Sequence, residues 1–263
     1  VAGPCPGWWA VPVNRDEVLA AYERQVRSGG GERAGRVIRK AAEGGWNGIL
    51  WSDLDEDTAD AEIAAQVAYF TSLNRSFEWK LYSHDRPADL AERLLAAGFA
   101  AELEETLLAA EAAAMAAEPR LPEGVVLRQA EDPAGIELLI EAHEQAFGMS
   151  LPGLRDRLLH RLTERPESMV AVVAMAGDRP ISGARLDLDP DTEFAGLFGG
   201  GTVAGWRGRG VYRALVAYRA RIAVERGYRY LHVDASADSC PILRRLGFEQ
   251  LGTTTPYVHT PGA

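Results

Sequence analysis

Two stretches of this chain share one layout. Residues 81–99, "LYSHDRPADLAERLLAAGF", and residues 231–248, "LHVDASADSCPILRRLGF", each read as strand, polar turn, short helix, Gly-Phe pair and onward strand. A single strand-helix-strand unit cannot bury its own apolar faces, so a repeated unit points to two packed copies. At 263 residues the chain suits two small domains. The stretch "AAEAAAMAAEPRLPEG", small residues followed by two prolines, separates the halves, and the boundary falls near Pro119 to Pro122. This gives residues 1–118 and 119–263.

Upstream of the boundary, Asn14 is placed to cap a helix reaching about Arg27, with Asp16 and Glu17 in its first turn. Strands are expected at "GILWSDL", "FEWKLYSH" and "FAAELEETLLA", and helices at "TADAEIAAQVAYFTSL" and "PADLAERLLAAG". Downstream come a strand "GVVLRQA", a helix opened by Pro133 and a second helix "PGLRDRLLHRLTERP". A hairpin turning at Gly177 to Pro180 follows, then a strand through "FAGLFGGGTV", a helix from Arg209 to Glu225 and the strand "YRYLHVDAS". The short helix "SCPILRRLG" leads to two terminal strands, "FEQLGTT" and "PYVHT". The class is α/β with mixed sheets.

Composition narrows the function. A formal charge of -10 argues against nucleic acid or an anionic membrane as partner. Two cysteines, Cys5 and Cys240, build neither a disulfide framework nor a cysteine metal site, which fits a reducing, cytoplasmic setting. The opening "VAGPCPGWWAVPV" lacks the pattern of a signal peptide, and no apolar run is long enough to span a bilayer. Residues 28–35, "SGGGERAG", lack the preceding strand and Gly-Lys-Ser/Thr ending of a phosphate loop.

Against that acidic balance, "GWRGRGVYRALVAYRAR", residues 205–221, concentrates arginine and glycine at the start of a helix. The first N–H groups of a helix have no intrahelical partner and face outward with a partial positive charge, so they bind anions. Glycine at 208 and 210 lets a ligand approach the backbone, and Arg207 and Arg209 add charge. Val211, Leu215 and Ile222 fall on one buried face and anchor the loop.

From about Leu121 onward the chain resembles the GNAT acetyltransferase superfamily. The resemblance rests on Arg207-Gly208-Arg209-Gly210-Val211-Tyr212 between a strand and a helix, on the "RRLGF" ending and on the element order before them. It implies two GNAT-like domains, each a mixed, mostly antiparallel sheet flanked by helices, the first a degenerate copy. It also implies an acetyl-CoA-dependent transfer of an acyl group directly to an amine, with a small metabolite as acceptor. A non-catalytic acyl-CoA-binding or scaffold protein is the alternative, and a homodimer is open because such units pack within or between chains. By the resemblance, backbone N–H groups of Gly208, Arg209, Gly210, Val211, Tyr212 and Arg213 hold the pyrophosphate. Thr202 and Val203 pair with the pantetheine arm, and Thr202 offers an oxyanion donor. Gly199 to Gly201 suit a bulge that splays this strand from the next.

Two positions depart from the family pattern: Tyr212 replaces a small residue, and Leu243 stands where a thiolate-protonating tyrosine is usual. Three candidates for proton transfer follow. Glu193 enters the fourth strand of the unit, or lies in an exposed turn. His232, sharing a strand face with Asp234, is a base or a structural histidine. Tyr257 is an acid or a packing residue of the last strand. In the first copy the corresponding loop reads "SDLDEDTADAE", whose carboxylates would repel a pyrophosphate. Trp8, Trp9, Trp46 and Trp51 make the first half aromatic, as core or as wall of an inter-domain cleft.

Overall fold

The structure, a computed structural model, describes residues 14–42 and 45–262. Cys5, Trp8, Trp9 and the opening segment lie outside the described residues. Helix α1 (Arg15–Tyr22) is capped by Asn14, whose side chain accepts from Asp16 N, and continues as a π-helical turn, Glu23–Arg27. Then come β1 (Glu32–Ala34), β2 (Val37–Ala41), β3 (Asn47–Ser52), α2 (Ala59–Ser72), β4 (Phe77–Tyr82), α3 (Leu90–Ala96), β5 (Ala100–Ala101), β6 (Glu105–Glu111) and α4 (Ala112–Met115). The second half holds β7 (Val125–Gln129), α5 (Pro133–Phe147), α6 (Leu154–Glu164), β8 (Met169–Ala176), β9 (Arg179–Leu188), β10 (Phe194–Thr202), α7 (Val211–Glu225), β11 (Tyr230–Ala235), α8 (Cys240–Leu246) and β12 (Glu249–His259).

The repeat read from the sequence is real in space. β3-α2-β4-α3 and β10-α7-β11-α8 have the same layout, each with a short parallel strand pair. Gly98 and Gly247 both end their short helices at positive φ, 88° and 108°, conformations that cost a side-chain-bearing residue about 1 kcal/mol or more. The two expected sheets, however, are one. Strand order is β1-β2-β3-β4-β12-β6-β11-β10-β9-β8-β7, with β5 alongside β12. The halves exchange their last strands: β6 pairs with β11 of the second half, and β12 pairs with β4 of the first.

Helices cover both faces. On one, Leu215 and Ala220 of α7 and Leu243 of α8 pack on Leu186, Leu197, Leu231 and Val233, while Ile63 and Phe70 of α2 and Leu94 of α3 cover Ile49, Trp79 and Tyr257. On the other, Val18 and Tyr22 of α1 lie over Leu107, Phe194 and Tyr230, and Ile136, Leu139 and Leu158 of α5 and α6 lie over Ala171 and Val173.

Several local expectations are corrected. β1 and β2 form a hairpin that the glycine-rich sequence did not announce, with Gly35 at φ 63° in its turn. The strand expected from Phe99 to Ala109 is two, β5 and β6. The two expected terminal strands are one, β12, with a register shift between Gln250 and Gly252. Pro256 read as a break, yet it sits inside β12 opposite Lys80, and its carbonyl accepts from Glu102 N at 2.8 Å. Helix α7 starts at Val211 rather than Arg209, because Gly210 takes φ 87° as its N-cap.

Candidate active site

The second parallel pair opens almost as soon as it forms. β10 and β11 are in register only at Phe194–Gly196 and Tyr230–His232; beyond Gly196, each keeps its outer partner and the two diverge. A bulge between Phe198 and Gly201, with Gly199 at φ 60°, bends β10 away. The sequence expectation of a glycine-dependent splay is met at these residues.

The end of β10 is pinned. Val203 N donates to Ile181 O at 2.9 Å, and Ser182 Oγ bonds Gly201 O at 2.6 Å and Thr202 Oγ1 at 2.8 Å. The Val203 N–H is therefore spent on β9. Since successive strand residues turn their N–H groups to opposite neighbours, that of Thr202 faces the splay. Arg207 is structural as well as charged: Nε donates to Thr202 O at 3.0 Å and Nη2 to Ala146 O at 2.8 Å, tying the loop to β10 and α5. The Arg209 guanidinium lies 4.9 Å from the Trp206 ring centre.

Between these anchors the backbone is bare. Gly208 and Gly210 have φ 74° and 87°; a Cβ on Gly208 would meet nothing within 4 Å, and on Gly210 only Arg120 O at 3.9 Å. Among the described residues, none of the backbone N–H groups from Gly208 to Arg213 donates to a protein acceptor, and α7 has neither a side-chain cap nor an acidic residue in its first turn. Val211 and Leu215 are fully buried and hold the helix start in place. This open row of donors is chemically suited to a pyrophosphate. The corresponding end of α2 is its opposite: Asp60 and Glu62 lie in the first turn, and Asp55 Oδ1 already accepts from Thr58 N at 2.9 Å.

Tyr212 lies over the bulge. A Cβ on Gly200 would come within 2.8 Å of its ring, and its hydroxyl, pushed up in pKa by burial, faces Ser239 at the start of α8. It stays protonated at neutral pH. Leu243 is fully buried in the core.

The three sequence candidates for proton transfer separate widely. Glu193 precedes β10 at the closed end of the splay, roughly 30 Å of strand from Thr202. There its Oε2 accepts from Gln25 Nε2 at 2.8 Å, with Arg229 at 3.9 Å. Tyr257 belongs to the core of the first half, opposite Trp79 on β4. Neither is brought to the loop. His232 is, since it occupies the last paired position before the strands diverge, with its ring 5.2 Å from Tyr22 and 6.0 Å from Phe198.

His143 of α5 was not singled out from the sequence. It lies in the helix's buried stripe with Ile136, Leu139 and Ala146, and a histidine inside an apolar stripe was the available signal. Its ring fills the space that a Cβ on Gly183 or Gly199 would need, both at 3.1 Å, beside the bulge. Neither of its nitrogens meets a partner at full hydrogen-bond geometry among the described residues, although the Gly183 and Gly199 backbone lies beside the ring. Burial lowers the pKa of both His143 and His232 to about 4 from 6.5, so both are neutral at pH 7.

This has a consequence for stability. A folded-state pKa below the unfolded one contributes stability that is complete above pH 6.5 and is lost as pH falls toward 4. Each histidine is expected to account for on the order of 3 kcal/mol of that loss. Glu105, raised to about 7, acts in the opposite direction. Urea unfolding between pH 7 and pH 4 should show a net decline, most of which is lost in His232→Phe because His143 and Glu105 then offset each other.

A cleft of about 170 Å³ lies on the α5–α6 face, between Trp46 and Leu154, Arg157 and Arg161, with Arg185 and Asp187 at its base. Trp46 Nε1 donates to Glu78 Oε2 at 2.7 Å, so this tryptophan does wall a cleft between the halves, whereas Trp51 lies on β3 beside Arg33. A wider groove of about 1140 Å³ runs between α2 and α3, away from the splay. Among the described residues no group of histidine, cysteine and acidic side chains could hold a metal ion, and no helix is long and apolar enough to cross a membrane.

Residues 136–248 match the model of the acetyltransferase (GNAT) family. Solved structures align over nearly the whole chain. A GCN5-related N-acetyltransferase from Kribbella flavida is 20% identical with a TM-score of 0.65, over 97% of this chain and 98% of that one. One from Sphaerobacter thermophilus is 14% identical with a TM-score of 0.59, over 96% and 95%. A tandem GNAT protein from the clavulanic acid biosynthesis pathway is 12% identical with a TM-score of 0.57, over 96% and 98%. At these identities the likeness is one of fold. No curated protein matches the chain in sequence.

Proposed function

With residues 136–248 belonging to the acetyltransferase (GNAT) family, we propose that this protein is an acetyl-CoA-dependent N-acetyltransferase that passes the acyl group directly to an amine of a small metabolite. Residues 119–263 form the catalytic unit, and residues 1–118 a degenerate copy that supplies strands and a wall. The observation that carries this reading is the row of undonated N–H groups from Gly208 to Arg213, free of nearby carboxylates, beside a glycine-bulged splay.

Acetyl-CoA supplies the activated acyl group. The residues of this chain then divide the remaining work. Gly208 to Arg213 receive the pyrophosphate, and the splay takes the pantetheine arm along Thr202. The Thr202 N–H is aimed to steady negative charge on the thioester oxygen. Tyr212, which burial keeps protonated, is assigned as donor to the departing sulfur, a role Leu243 cannot fill. The small cysteine content fits a reducing, cytoplasmic setting for this chemistry.

Calorimetry with acetyl-CoA tests the reading. Micromolar binding, followed by thiol release and an N-acetyl product mass with an amine panel, is the expected outcome. Binding without thiol release would favour a non-catalytic acyl-CoA-binding protein, the reading that the buried Leu243 supports. No binding by folded protein would sink both.

A further inference from the structure

Beside the splay, the sheet buries polar atoms that have no partner among the described residues: Oδ1 of Asp234, Oγ1 of Thr254 and Nδ1 of His232. The Asp234 side chain is 5% exposed, and Thr254 is 1% exposed. Register places them on one face. Thr254 of β12 stands opposite Tyr82 of β4 and Glu105 of β6, and Asp234 of β11 stands opposite Leu107, two residues along from Glu105. Residues two apart on a strand share a face, so Glu105 and Asp234 are diagonal neighbours.

Lys80 of β4 reaches across two strands to pair with Oδ2 of Asp234. Its charge does not balance the group. Glu78 and Glu105, with Glu102 beside them, add acidic side chains against that one ammonium. His232 is neutral, and burial keeps the Tyr22 and Tyr82 hydroxyls protonated. The result is a largely buried, acid-rich cluster with unused acceptors, and an unused buried acceptor costs free energy. A primary ammonium, with three N–H donors and no acceptor, complements it.

Position supplies the second argument. Asp234 lies two residues past His232, the last position paired with β10, so it stands on the α1 face where β11 has parted from β10. We propose that this cluster, entered from the half-buried Glu105, receives the acceptor as a primary aliphatic ammonium, held by Asp234 and Glu105, and that Glu105 takes its proton. The proposal rests on the acyltransferase reading and names the substrate class of that site. One N–H bond breaks, its electron pair stays on nitrogen, and the proton bonds to a Glu105 carboxylate oxygen. Glu105 is half-buried, so it can pass the proton to solvent. Burial, then the Asp234 carboxylate, raise the Glu105 pKa to about 7, with Glu78 and Glu102 adding and Lys80 opposing; this suits a base working near neutral pH. The base thus comes from the last strand of the first half.

The test is calorimetry with propylamine and putrescine at pH 7, without thioester, using tetramethylammonium as a cation that lacks N–H donors. Both amines are expected to bind wild type and to bind at least tenfold more weakly to Glu105→Gln and Asp234→Asn, with no binding of tetramethylammonium. With acetyl-CoA and putrescine, kcat/KM should rise with pH through about 7 in wild type and lose that limb in Glu105→Gln. Failure of both amines to bind wild type, equal binding by wild type and Glu105→Gln, equally tight tetramethylammonium, or an unchanged limb would each overturn the proposal. If Asp234→Asn, which strands Lys80, does not fold, Glu105→Gln decides alone. Acetyl-CoA affinity measured separately keeps the two readings apart: its absence in wild type sinks the acyltransferase, whereas its retention in Glu105→Gln with amine binding lost supports the cluster.

Discussion

A fragment of residues 119–263 is expected to be unfolded or insoluble, although it contains the whole family match. Without β6, the strand β11 loses its partners from Glu111 to Thr106, and β12 loses both β6 and β4. An exposed β11 edge and a detached β12 would present unpaired backbone to other chains. The buried side chains of Leu107, Leu108 and Tyr22 go as well, and each contributes roughly 1.5 to 3 kcal/mol. Against a total stability of about 5 to 15 kcal/mol, that loss removes most of the fold's margin. Circular dichroism and thermal unfolding of the fragment check this. Co-expression with residues 1–118 should restore a soluble pair, because the missing strand returns in trans. A monomeric fragment with one cooperative transition would show that the exchanged strand is dispensable.

The largest expected effect on ligand binding is that of Gly210→Glu, which should lower acetyl-CoA affinity on the order of 100-fold or more. The position has room, since its nearest neighbour to a new Cβ is Arg120 O at 3.9 Å, so the substitution does not crowd the core. It does meet φ 87°, which costs a non-glycine residue about 1 to 2 kcal/mol. Gly210→Ala isolates that conformational cost and should weaken binding only a few-fold. The rest of the glutamate effect is charge. A carboxylate about 4 Å from a phosphate costs ~4 kcal/mol at an effective dielectric of 20, before salt screening. Calorimetry of the three proteins at low and high salt separates the two causes. Equal affinities for Gly210→Glu and wild type would place the pyrophosphate elsewhere.

Much of this protein was legible from residues near one another in sequence. The splay at Gly199 to Gly201, the bare loop at Gly208 and Gly210, and the acidic loop of the first copy are all local. Each depends on a backbone conformation or a helix terminus that a few adjacent residues determine. The repeat was legible for the same reason, since Gly98-Phe99 and Gly247-Phe248 end similar short helices. Sequence reasoning stopped short where a strand's partner decided the outcome. For Tyr257 the sequence left acid or packing residue open, and the packing reading holds because β12 crosses to β4 and turns it into the core of the other half. For Glu193 it left strand-entry base or exposed turn open, and the residue sits at the closed end of the splay, bonded to Gln25.

The sequence by itself determined the α/β units, their repeated layout and the bare, uncapped start of α7, because propensity, capping and glycine φ act over a few residues. Tertiary structure alone decided that the two units share one sheet by exchanging strands. It also decided that Lys80, Glu105, Thr254 and Asp234, far apart along the chain, meet on one face beside the splay. Strand pairing acts between segments without regard to their separation in sequence, and no local pattern records which edge a strand will find.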